Sequence, residues 1–175
     1  MPLRRKLEIY YACIATRIIY GLETLNLTNK DITRLQVFEH RTIRRILRIP
    51  ASMISHISNE AIMSRAKVEK CLPNILLASQ LRLVGHIIRA PVRDPLRVVC
   101  LEPTQEYRPR TLARGIQRVG YAHSAWWIRR ATSQIPNFNA RVAFDRAVWR
   151  DAVQRRCAGR HSMWAFADCL TRRAL

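Results

Sequence analysis

The chain has 175 residues, with 31 Lys and Arg against 12 Asp and Glu and a formal net charge of +19. An excess of that size repels itself in a compact fold and attracts polyanions. An apolar content of 49% excludes a disordered basic tail, which leaves a folded basic chain long enough for one domain or two small ones.

Leu7, Tyr11, Ile14 and Ile18 recur at helical spacing and predict a helix over residues 3–22, ended or kinked by Gly21. Arg4-Arg5-Lys6 precedes an apolar run from Ile9 to Tyr20. That run is too short to cross a bilayer, Arg17 interrupts it, and no small-residue cleavage site follows, so it reads as a core helix. Thr28 with Asp31 has the spacing of a helix cap, and a helix over about 29–48 is expected, stopped by Pro50. At about 100° per residue, Ile32, Leu35, Ile43, Ile46 and Leu47 share one side. Arg34, Arg41, Arg45 and Arg48 form a narrow stripe on another, with Arg44 beside it. Glu39 falls within the apolar side, either buried against a cation or at the edge of the contact.

Ser58 or Asn59 caps a short helix expected to reach about Lys70. A long apolar helix is expected from about Pro73 to Arg89, with Leu77, Leu81, Val84 and Ile88 as its stripe, widened by Leu76, Leu83 and Ile87. Gly85 in its middle costs helix stability, so close approach of a neighbouring helix is expected there. Arg82, His86 and Arg89 share its outer face. Arg97 to Leu101 reads as a short strand or a helical turn, and the proline-bearing stretch to Arg110 as a loop. Beyond it, Ile116, Val119, His123 and Trp127 share a face of a helix over about 111–133. A helix over about 140–157 carries Phe144, Val148 and Trp149, and a last one is expected over Ser162–Arg173. The 5 glycines leave little room for sharp β-turns. The expected fold is all-α: an irregular helical bundle over 1–100, a loop or linker at 101–110, and a second small helical lobe over 111–175.

Catalytic chemistry finds no local motif. A two-metal polymerase site needs adjacent carboxylates, and no Asp-Asp pair occurs. A Walker loop, HExxH and GxSxG are also missing, and His40, His56, His86, His123 and His161 are isolated. The 5 cysteines lack a CxxC pair, which fits a reducing compartment. Cys157, His161 and Cys169 approach metal-ligand spacing but lack a fourth ligand and a close Cys pair. No metal and no cofactor are expected.

Most of the cationic excess is Arg, whose planar fork grips phosphate and stacks on bases; Lys occurs only at Lys6, Lys30, Lys67 and Lys70. The Arg34–Arg48 stripe can track a phosphate backbone over about four helical turns. The plainer reading is a solvated face. Arg82 and Arg89 extend the same basic surface or are simply the outer side of their helix. Trp126-Trp127 followed by Arg129-Arg130 mixes aromatics and cations as stacking platforms do, against a reading in which one Trp packs inward.

Tyr20-Gly21-Leu22-Glu23-Thr24, Phe38-Glu39 with Arg44-Arg45-Ile46-Leu47, and Leu83-Val84-Gly85-His86-Ile87-Ile88-Arg89 occur in that order. This series resembles the region just after the polymerase core in reverse transcriptases of LINE-type, non-long-terminal-repeat retrotransposons. The resemblance covers roughly residues 5–100, with a fainter echo in Ala143, Asp145-Arg146 and Trp149-Arg150. It departs at Leu25, where the family carries Trp. It implies a thumb and post-thumb fragment whose parent is an RNA-directed DNA polymerase, without the polymerase core and without catalysis of its own. The expected partners are RNA, DNA or an RNA–DNA hybrid, and the parent core where both lie in one chain; neither a membrane nor a small-molecule substrate is expected. The expected site is Arg34, Arg41, Arg44, Arg45, Arg48, Arg82, Arg89, Arg129 and Arg130, with Glu23 and Glu39 in structural pairing and Gly85 in packing. The expected location is intracellular, nuclear or cytoplasmic. Rival readings are a basic helical module for an acidic protein partner, an active enzyme, and a degenerate element fragment without cellular function.

Overall fold

The computed structural model describes residues 1–68, 70–101, 126–136 and 138–158. It is all-α, with no strand among the described residues. The chain divides into two compact units. One comprises Met1–Leu22 and Leu27–Leu76; the other comprises Glu23–Asn26 and Leu77–Cys157.

The first helical run is α1 (Leu3–Ile9), a π-helical stretch (Tyr10–Ala15) and α2 (Thr16–Ile19). A π-turn holds one residue more than an α-turn, so it rotates the face that follows. The inward residues are therefore Tyr10, Ala15 and Ile19, whereas Ile14, expected inward, is exposed, and Leu7, Tyr11 and Ile18 are half-buried. Gly21 ends the run at φ 79°, and no described atom lies within 4 Å of where a Cβ would sit. Its backbone conformation, not crowding, is the reason for glycine.

Helix α3 (Asn29–Leu47) begins with a full capping box: Thr28 Oγ1 accepts from Asp31 N–H, and Asp31 Oδ2 accepts from Thr28 N–H at 2.9 Å. It ends at Arg48, which takes the left-handed conformation at φ 57°, ahead of Pro50. Short helices α4 (Ser52–Ser55) and α5 (Asn59–Arg65) follow. Ser58 caps α5, which stops at Arg65 rather than near Lys70 because Lys67 turns left-handed at φ 53°.

The first unit has two apolar clusters along α3. Its C-terminal half packs Ile43, with Ile46 and Leu47, against Tyr10, Ile62, Ala66 and Val68. Its N-terminal half packs Ile32 and Leu35 against Ala15, Ile19, Leu72 and Leu76. Tyr11 touches both clusters.

Helix α6 (Leu72–Arg89) buries Leu76, Leu77, Leu81, Val84, Ile87 and Ile88, the stripe expected for it, while Leu83 is half-buried. The second unit continues with α7 (Pro95–Cys100), α8 (Trp126–Thr132), a 3-10 turn (Ala140–Ala143) and α9 (Arg146–Cys157). Arg97 and its neighbours are thus helical, started by Asp94, whose Oδ1 accepts from Leu96 N–H at 2.9 Å. Asp145 starts α9 in the same way, accepting from Ala147 and Val148 N–H. That cap breaks the helix expected over 140–157, and Phe144 and Val148 lie exposed while Trp149, Val153 and Cys157 are buried. Gly85 admits Trp149: a Cβ there would lie 2.7 Å from Trp149 Cδ1 and closer still to Nε1. The indole Nε1–H donates to Leu81 carbonyl at 3.0 Å, and Phe138 meets the ring edge-on at 5.9 Å. The expected linker beyond Leu101, Ile116, Val119 and His123, and the expected helix over Ser162–Arg173 lie outside the described residues.

Candidate nucleic-acid interface

The outer face of α3 is built by two sequence-local devices. The capping box fixes where the helix begins, and the apolar side, pinned by both clusters, fixes which way it is turned. Arg34, Arg41 and Arg45 then face solvent, with Arg48 exposed just past the last turn. From Arg34 to Arg48 the helix rises about 21 Å. Arg34 is the cation here with an acid beside it: its Nη1 lies 3.6 Å from Asp31 Oδ1, and its side chain is 82% exposed. A pair that exposed contributes little.

Arg44 is not part of this face. It is 5% exposed, and its guanidinium is enclosed by the loop between α3 and α5. Nη1 donates to Pro50 carbonyl at 3.0 Å and to Ser55 Oγ at 3.2 Å. Nη2 donates to Ile57 carbonyl at 2.6 Å and to Asn59 Oδ1 at 2.9 Å, and Nε to Asn59 Oδ1 at 3.2 Å. All these acceptors are neutral. Arg44 therefore organises the loop and is unavailable to a phosphate. His40 is half-buried near it, and burial followed by the Arg44 charge lowers its pKa.

Glu39 is fully buried, but not against a cation among the described residues. Oε2 accepts from Leu72 N–H at 2.9 Å and Oε1 from Tyr11 Oη–H at 3.2 Å. Burial pushes its pKa up to about 7, against the pull of those two hydrogen bonds. Burial and the Glu39 charge raise the Tyr10 and Tyr11 phenols in turn. Glu23 is half-buried in a 3-10 turn (Leu22–Thr24).

In the second unit, Arg82 is exposed, but Arg89 is half-buried and donates to Ala143 carbonyl. Burial, then the Arg146 charge, lowers the Arg89 pKa. Arg89 is thus a tie between α6 and the 3-10 turn, not an outward cation. Arg129 is exposed and Arg130 half-buried, each with an interaction of its own. Trp127 is buried, so it is not a stacking platform, and the Trp126 side chain lies outside what is described. Arg156 escaped the sequence reading as a structural residue: it donates to Gln134 carbonyl at 2.7 Å and to Gln134 Oε1 at 2.9 Å. Among the described residues no group of three or more His, Cys, Asp and Glu is placed to hold a metal ion, and no helix is long and apolar enough to cross a membrane. His161 and Cys169 lie outside the described residues.

Compared with family models, curated proteins and solved structures, the chain gives no match.

Proposed function

We propose that this chain is a nucleic-acid-binding module, gripping RNA or an RNA–DNA hybrid through Arg34, Arg41, Arg45 and Arg48 on the outer face of α3. The observation that carries the reading is the exposure of that row on a chain of net charge +19. Asp31 is the one acid beside it among the described ion pairs of α3. Cations so placed release counterions when they meet phosphates, and this sequence-independent term dominates non-specific binding. Arg82 and Arg129 are secondary contributors; Arg44 and Arg89 are not contributors. The three sequence motifs support an origin in the thumb and post-thumb region of a LINE-type reverse transcriptase. In this reading the chain contributes grip, and the parent activity, RNA-directed DNA synthesis, belongs to an adjacent carboxylate pair that does not occur in this sequence.

The test is affinity for an oligoribonucleotide across salt concentrations. A linear fall of log K with log salt is expected, and a flat plot overturns the reading. Nucleotide incorporation by the chain in a primer-extension assay overturns its non-catalytic part.

A further inference from the structure

An aromatic ring sits inside the basic row. With about 100° per residue, Arg34, Phe38, Arg41 and Arg45 fall within an arc of about 60°, with Phe38 one turn past Arg34 and one turn before Arg41. Phe38 is 39% exposed, as is Val37 beside it. The ring therefore shows part of its surface to water from a helix whose other side holds two apolar clusters. Among the described residues Tyr10, Trp127 and Trp149 are buried, and Tyr20, though exposed, lies at the end of the first helical run and not in the α3 row. Phe144 is also exposed, but it lies in the turn before α9 and not on a helix face.

A half-exposed ring flanked along one helix by guanidinium groups has two complementary needs. The cations take phosphates, and the ring takes a flat apolar surface. A paired duplex offers the first and hides the second, because its bases are stacked on one another. An unpaired nucleotide offers both. We propose that Phe38 stacks on an unpaired base of a single-stranded nucleic acid whose phosphates lie on Arg34, Arg41 and Arg45. This rests on the α3 face being a nucleic-acid surface and narrows its ligand to an unpaired stretch. Stacking of this kind tolerates any base, since each has a π-face, so the site selects strandedness rather than sequence.

The experiment uses the full chain and a fluorescent adenine oligoribonucleotide, the same strand with abasic residues at its centre, and an RNA–DNA hybrid of equal length. The wild-type chain is expected to bind the base-bearing strand about tenfold more tightly than the abasic one. Phe38→Leu is expected to erase that difference, and Phe38→Trp to keep it. Quenching of a 2-aminopurine placed in the strand reports stacking on the wild-type chain without any substitution. Equal affinity of the wild type for the two strands, a difference that survives Phe38→Leu, or displacement by polyglutamate at equal charge as readily as by the base-bearing strand overturns the proposal. Arg41→Ala combined with Arg45→Ala is expected to weaken both strands alike. If it weakens neither, the basic-face reading falls and takes the stacking with it. If it weakens both while the strands bind equally, only the stacking falls.

Discussion

The Glu39 carboxylate starts a helix to which it does not belong: its Oε2 accepts the Leu72 N–H at 2.9 Å, the first free donor of α6. An anion at a helix N-terminus is favoured by the dipole. Here it also stands between the two apolar clusters of α3, where water is excluded.

That placement predicts an unusual pH dependence. Burial raises the Glu39 pKa from 4.5 to about 7, so between those values the folded chain holds a proton that the unfolded chain releases. Stability from this group is complete at low pH and falls as pH rises through about 7, by up to about 3 kcal/mol. His40 acts in the opposite sense, since its lowered pKa favours the folded state at higher pH. The readout is therefore the difference between two proteins. In urea titrations from pH 5 to pH 8, wild type is expected to lose stability relative to Glu39→Gln, whose amide does not titrate.

Tyr10 gives a prediction of the opposite character. Its hydroxyl is buried with no hydrogen-bond partner among the described residues. Removing an unpaired buried polar group avoids its desolvation cost. Tyr10→Phe is expected to raise stability by about 1 kcal/mol, seen as a higher urea midpoint with unchanged slope.

Arg44 is expected to be a folding residue with no effect on ligand affinity. Lysine cannot reproduce the fork that reaches Pro50, Ser55, Ile57 and Asn59, and it would leave buried acceptors unmet. Arg44→Lys is expected to lower stability by about 2–3 kcal/mol. The folded fraction should bind an oligonucleotide with wild-type affinity and salt dependence.

Gly85→Ala tests the seat of Trp149. The added carbon overlaps the indole, and moving the ring breaks its bond to the Leu81 carbonyl. Overpacking and the lost hydrogen bond together outweigh the gain of about 1 kcal/mol in helix propensity. A net loss of about 2 kcal/mol is expected by urea denaturation. Pairing the change with Trp149→Leu should recover part of it.

What the sequence could and could not disclose follows from the range of each interaction. The start of α3 was readable because Thr28 and Asp31 satisfy each other within one turn. Gly85 was readable because a glycine in an apolar helix has few other reasons to be there. The wheel put Glu39 within the apolar side but left burial against a cation and an edge position both open, and its partner was not readable: every residue but proline carries an N–H, so Leu72 leaves no mark as a donor. Arg44 misled because its acceptors come from a loop whose return path no periodicity records. The π-turn at Tyr10–Ala15 shifts a face by one residue, and an α-helical wheel does not foresee such a shift.

The cations left on the α3 face should not contribute equally. Both Asp31 oxygens are committed, Oδ2 accepting from the Thr28 N–H and hydroxyl and Oδ1 facing the Arg34 guanidinium at 3.6 Å. A phosphate approaching Arg34 therefore meets a partly neutralised charge and a nearby carboxylate. Arg41 and Arg45 have no acid within ion-pair distance among the described residues. Each phosphate contact on a single strand adds about 0.7 to the slope of log K against log salt. Arg41→Ala and Arg45→Ala are each expected to reduce the slope by about that amount. Arg34→Ala should reduce it by less, and Arg44→Lys should leave it unchanged. Equal reductions for Arg34→Ala, Arg41→Ala and Arg45→Ala would mean that total charge, and not this face, governs binding.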